Sequence, residues 1–187
     1  MVAFNLGKRP GAGRVIRLTL ASIVVLVTLL LVSCSSQNGG GSLINHTAPD
    51  FRLRDLSGQD FTLSDLRGKT VLINFWDTTC PPCVQEMPNF QALYRDWSSR
   101  PDFVFLSINL GESAGTIQNF MSANGYTFPV LQDSAYAVAE KYLIQYTPTS
   151  LLVDKTGLIK MDLIGPFPSE SSLQKWILPY LPLSQSH

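Results

Sequence analysis

The sequence predicts an α/β fold, a central mixed β-sheet flanked by helices on both faces, and three observations lead there. Short β-rich apolar runs alternate with stretches of helical spacing. One of them, TVLINFW at Thr70 to Trp76, is apolar almost throughout, as a strand buried on both faces must be. The last two runs, Thr149 to Val153 and Leu158 to Ile164, flank Asp154-Lys155-Thr156-Gly157, a turn signal that joins antiparallel neighbours.

Phe51 to Leu53 and Phe61 to Leu63 surround Asp-Leu-Ser-Gly-Gln and predict a short N-terminal hairpin. The buried strand Thr70 to Trp76 follows. From Pro81 to about Ser99, Val84, Met87, Phe90, Leu93, Tyr94 and Trp97 recur at helical spacing, with Pro88 expected to bend the first part. FVFLSIN at Phe103 to Asn109 is a second buried strand. A central helix is expected from about Ser113 to Asn124, stopped by Gly125, and then an extended Tyr126 to Leu131. Ser134 to Leu143 is expected to be helical, and a last helix from about Ser169 to Tyr180 follows the terminal hairpin. There is no internal repeat.

With 187 residues, 45% hydrophobic and 15% charged, the chain suits one globular domain with a sizeable core. The formal charge is zero, yet Lys8, Arg9, Arg14 and Arg17 precede residue 34 without an acid, leaving 10 basic against 14 acidic residues beyond it. No basic stripe remains for phosphates, so nucleic acid is not an expected partner. The basic start leads into LTLASIVVLVTLLLV, Leu18 to Val32, which is shorter than the roughly 20 residues a spanning helix needs. Leu31-Val32-Ser33-Cys34 resembles a bacterial lipobox, which implies that Cys34 is lipidated and becomes the new N-terminus. An uncleaved anchor is the alternative. Both place the domain on the outer face of a cell membrane, where disulfide chemistry is permitted. The expected organisation is a signal peptide over 1–34, a flexible Gly- and Ser-rich linker over 35–47 and one domain over 48–187.

The chemistry centres on WDTTCPPC, Trp76 to Cys83. Cys80 and Cys83 admit three readings: a structural staple, half of a metal site, or a redox pair. A bridge closing so short a loop constrains the unfolded chain little. A zinc site wants four ligands, and beyond Cys34 the chain adds only His46 and His187, so no metal site is expected.

WDTTCPPC after a buried strand, Thr147-Pro148 before another, and the hairpin-plus-helix ending resemble thioredoxins. The opening PDFRLRDLSGQDFTLSDLRGKTVLINFW and the inserted helix near Ser113 to Asn124 resemble, more narrowly, the TlpA/ResA-like membrane-anchored thioredoxins, over about Ala48 to Leu181. The resemblance implies a thioredoxin fold with an N-terminal hairpin and a central inserted helix and strand. It also implies a thiol-disulfide oxidoreductase without a cofactor. Cys80, at a helix start where unpaired N–H groups and the dipole favour a thiolate, is then the nucleophile, and Cys83, one turn inside, resolves the mixed disulfide. Pro148 is expected to be cis, with Thr147 offering backbone to an extended substrate and Trp76 contributing to the same surface. Glu86 matches a glutamate near the thiols that tunes their acidity and moves a proton; a solvated helix carboxylate is the alternative. Asn74 stands where ordinary thioredoxins carry a buried aspartate.

Asp77 and Thr79 replace an alanine and a tryptophan usual in relatives, and Tyr146 stands where many have glycine. A carboxylate close to Cys80 disfavours its thiolate. The implied partners are client proteins with disulfides, apocytochrome c first among them, a membrane thiol electron donor, and the membrane itself through the N-terminal lipid; the domain is expected to act as a monomer. Two other functions compete. The opening also resembles peroxiredoxins, but the proline and hydroxyl residue they place seven and three positions before their cysteine are here Ile73 and Asp77. Two soft thiolates also suit copper(I), which would make the chain an accessory of oxidase assembly.

Overall fold

The computed structural model describes residues 43–181; the leader, Cys34 and most of the expected linker lie outside the described residues. The hairpin is β1 (Arg52–Arg54) and β2 (Asp60–Thr62), antiparallel and closed by Asp55, whose carboxylate accepts from the amides of Ser57 and Gln59. Its ladder is displaced one residue from the expected position at each end, and a 3-10 turn takes over at Leu63–Leu66. The main sheet comprises β3 (Thr70–Trp76), β4 (Phe103–Leu110), β5 (Val130–Asp133), β6 (Thr149–Val153) and β7 (Ile159–Ile164), in the order β5-β4-β3-β6-β7. β3 pairs parallel with β4 and β4 with β5, whereas β6 and β7 run antiparallel, which makes the sheet mixed as expected.

Period-two alternation divides two cores. Val71, Ile73 and Phe75 of β3, with Leu106 and Ile108 of β4, face the hairpin and Tyr142. Leu72 and Trp76, with Phe103 and Phe105, face the helices of the other side, where Phe90 stacks on Phe105 at 4.8 Å. Those helices are α1 (Pro81–Trp97), α2 (Ala114–Asn124) and α4 (Glu170–Ile177), while α3 (Ala137–Lys141) packs Val138 and Ala139 into the first core. On the second face the carboxyl ends of β3, β4 and the start of β6 bring together buried polar side chains, Asn74, Ser107, Asn109 and Ser150.

Local chemistry sets the boundaries. Ser113 caps α2, its hydroxyl accepting from the Thr116 amide, and Gly125 closes it at φ 68°, a left-handed position that glycine tolerates best. Pro88 lies inside a continuous α1 rather than dividing it. Two expected elements are shorter. Of the expected extended region Tyr126 to Leu131 only Val130 and Leu131 join the sheet, in a strand that runs on to Asp133, because Tyr126 and Phe128 turn into aromatic packing. The helix expected over Ser134 to Leu143 is confined to α3, since Tyr136 (φ 59°) and Leu143 (φ 55°) are left-handed and bracket it. Asp133 takes over its start, one carboxylate oxygen accepting from the amides of Val138 and Ala139.

The N-terminal segment touches both edges of the sheet. Asn45 and His46, expected in the linker, exchange backbone hydrogen bonds with Ile159 of β7, and Thr47 bridges Leu158. At the far edge Asp55 bridges Leu131 of β5. Among the described residues no helix is long and apolar enough to cross a membrane.

Leu106 is fully buried at the centre of the sheet. Leu106→Ala should cost about 2–5 kcal/mol, read as a lower urea midpoint at unchanged slope.

Candidate active site

β3 delivers the chain to the site. All its side chains are buried, so the loop that follows, Asp77 to Thr79, starts from a fixed point at the carboxyl end of the central strand. Cys80 is the N-cap of α1, with an extended backbone, and Pro81 and Pro82 occupy the first helical positions, where a missing N–H is no loss. Cys80 and Cys83 are joined in a disulfide with Cα atoms 5.3 Å apart. The Cys83 amide donates to the Cys80 sulfur at 3.3 Å, so the sulfur takes the place of a capping oxygen. Cys80 is half-buried and Cys83 fully buried. The two sulfurs thus belong to residues of unequal exposure.

Glu86, one turn beyond Cys83, is fully buried. Its Oε2 accepts from the Phe167 amide at 2.9 Å and its Oε1 from Asn74 Nδ2 at 3.0 Å. Burial pushes its carboxyl up from 4.5 to about 7, against the lowering effect of those two donors. The reading as a solvated helix carboxylate is therefore excluded. Asn74 also donates to Ser150 Oγ at 3.0 Å, leaving its own oxygen buried without a partner among the described residues. Nδ2 suits the carboxylate form of Glu86; a turned amide would present Oδ1 to the acid form.

Asp77 binds the cysteine loop to the loop before β6. One of its oxygens accepts from the amide and hydroxyl of Thr79, the other from Thr147 Oγ1 at 3.1 Å. The peptide bond between Thr147 and the buried Pro148 is cis. Asp77, Cys80 and Cys83 bring an oxygen and two sulfurs within 4.8 Å of one another; the sulfurs, bonded to each other, are not thiolates in this state. Behind the loop, Glu112 accepts from both the amide and hydroxyl of Thr78 and from Asn109 Nδ2.

Trp76 is placed differently from the sequence expectation. It is fully buried, its indole N–H donates to Ser107 Oγ at 2.7 Å, and its ring packs on Phe120 at 5.4 Å, so in this state it presents no surface to a substrate. The exposed aromatic residues near the site are Tyr136 and Tyr146, 50% and 63% exposed. Sequence reasoning also missed Glu112, Ser150 and the Phe167 amide. Ser150 left a trace, as a polar residue within an apolar strand; the other two contacts are long-range and left none.

A two-cysteine helix start at the end of the central parallel strand, a cis-proline loop beside it, and a mixed five-stranded sheet define a thioredoxin-fold thiol-disulfide oxidoreductase working through a CxxC dithiol. The chain belongs to the AhpC/TSA family, whose profile matches residues 44–161. It is similar to the thiol-disulfide oxidoreductase ResA of Geobacillus kaustophilus, 39% identical over 127 residues that make up 68% of this chain and 72% of that one. Among solved structures it resembles a thiol:disulfide interchange protein of the DsbE type from Chlorobium tepidum, with a TM-score of 0.67, 28% identity, and coverage of 73% of this chain and 96% of that one. It also resembles the exposed lipoprotein thioredoxin of Streptococcus pneumoniae, with a TM-score of 0.62 and 25% identity over 70% of this chain and 99% of that one.

Because Glu86 holds its proton to a higher pH when folded, its contribution to stability is fully present below about 4.5 and is lost as pH rises to about 7. The loss for the oxidised protein should be at most roughly 3 kcal/mol. Urea unfolding of the wild type should show this fall between pH 5 and 7, and Glu86→Gln should flatten it.

Proposed function

We propose that the chain is a lipid-anchored reductant of particular protein disulfides on the outer face of a cell membrane. The observation that carries the reading is the unequal burial of the two sulfurs at the start of α1. In the dithiol form, the Cys80 thiolate attacks one sulfur of a client disulfide and expels the other as a thiolate. Cys83, after losing its proton, attacks the Cys80 sulfur, releases the client's second thiolate and closes the Cys80–Cys83 bond. Two electrons thus pass from the dithiol to the client, whose thiolates take up two protons. Glu86 lies one turn along the same helix and, at about 7, is poised to accept the proton that Cys83 gives up. Thr147 and Pro148 form the edge on which an extended client backbone lies.

Apocytochrome c is the proposed client, since its paired haem-attachment cysteines must be reduced before ligation. A membrane thiol donor would return the protein to its dithiol form. Anchoring rests on the Leu18 to Val32 run and on Cys34, and the lipoprotein character of the similar Streptococcus pneumoniae protein supports it. The signal peptide over 1–34 and the domain from 48 belong to the same reading.

Cys83→Ser should accumulate mixed disulfides between Cys80 and client proteins in cells, and Cys80→Ser should accumulate none; an empty Cys83→Ser trap would count against the reading. The Cys80/Cys83 couple of the polypeptide Ser35 to His187 should equilibrate near the roughly −270 mV of a reductant, and a value near −120 mV would reverse the direction of electron flow. Cys34→Ser should abolish incorporation of labelled palmitate, whereas labelling that persists would overturn lipidation at this cysteine.

A further inference from the structure

Beside the disulfide lies a groove of about 230 Å³, lined by Asp77, Leu110, Tyr136, Ile144, Tyr146 and Thr147. Asp77 belongs to its lining, and one of its carboxyl oxygens lies within 4.8 Å of both sulfurs. The donors that hold this carboxylate are neutral: the Thr79 amide and hydroxyl and the Thr147 hydroxyl. A carboxylate accepts about four hydrogen bonds, so acceptor capacity remains. Among the described residues no ion pair involves Asp77, and Lys141, the basic residue of α3, donates to the Asp50 carbonyl instead.

Two of its lining residues are exposed tyrosines, one of them held at conformational cost. Tyr136 has φ 59°, a conformation unfavourable for a bulky side chain, yet its ring is half exposed. Its phenol lies over Gly111, where a Cβ would fall 2.1 Å from the hydroxyl oxygen. Only glycine lets the tyrosine lie there. Tyr146, adjoining Thr147, is the most exposed aromatic residue of this rim. A half-buried carboxylate that shares its groove with two exposed tyrosines combines an ion-pair partner with rings able to make cation–π contacts.

We propose that this groove is a specificity subsite for a lysine or arginine side chain of the client, within a residue or two of the client cysteine that Cys80 attacks. The inference rests on the oxidoreductase reading and adds which disulfides are preferred. The mildly acidic body, with 10 basic and 14 acidic residues beyond residue 34, favours such a client in the same sense.

The test uses three peptides, each closed by one disulfide and differing only in a Lys, Gln or Glu beside the cysteine. Second-order rate constants with the reduced protein are divided by those of the same peptide with dithiothreitol, which removes the peptide's intrinsic reactivity. At low salt the Lys peptide should lead the Glu peptide by about tenfold, and the lead should shrink at high salt. In Asp77→Asn the ratio should fall to within about twofold, whatever the variant does to the absolute rates. Tyr136→Asn combined with Tyr146→Ser should reduce the lead of Lys over Gln, asparagine being tolerant of the left-handed backbone. Equal normalised rates in the wild type, or a preference that survives Asp77→Asn, would overturn the subsite while leaving the oxidoreductase reading intact. A reduced protein that acts on none of the three peptides would overturn both.

Discussion

The complete burial of β3 is the constraint on which the site depends. Hydrogen-bonded on one side to β4 and on the other to β6, with apolar side chains on both faces, the strand has no freedom to shift its register. A slip of one residue would exchange Leu72 and Trp76 with Ile73 and Phe75 between two cores of different shape. The end of the strand therefore lands in one place, and with it the turn that puts Cys80 at the head of a helix. The pinning of the Trp76 indole by Ser107 belongs to the same constraint, since the residue before the active loop is anchored by its side chain as well as by its backbone.

Around the disulfide two carboxylates are kept apart by environment. Glu86 sits in the second core, hydrogen-bonded by Asn74 and Phe167, and is raised to about 7 by burial. Asp77 sits on the outer side, half-buried and held by hydroxyls and an amide. A carboxylate near Cys80 opposes its thiolate, while the helix start and the Cys83 amide favour it. Because the carboxylate form of Glu86 opposes a nearby thiolate and the acid form does not, the proton on the buried acid is linked to the reactivity of the sulfurs.

What the sequence made legible follows from how local the signal was. The run TVLINFW, the Ser113 and Gly125 stops and the Asp-Lys-Thr-Gly turn each report on their own neighbourhood, and the corresponding elements are in place. Glu86 was half legible: it shares a face of α1 with Cys83, Met87 and Phe90, so the helical spacing itself sets an acid on an apolar stripe. Trp76 was misplaced because strand alternation, which sends it to the face of Leu72, was outweighed by a family expectation. The Asp77–Thr147 bond joins residues 70 positions apart, and Tyr136, left-handed in its backbone, lays its phenol over Gly111, so neither contact could be read from a local pattern.

The contacts of the N-terminal segment with both edges of the sheet bear on a hazard outside catalysis. An open five-stranded sheet ends in two rows of unpaired backbone groups, and such rows recruit further strands from other molecules. Here the chain's own beginning occupies part of each row, at Asn45 to Thr47 against β7 and at Asp55 against β5. Among the described residues both edges are thereby partly covered against strand pairing with another molecule.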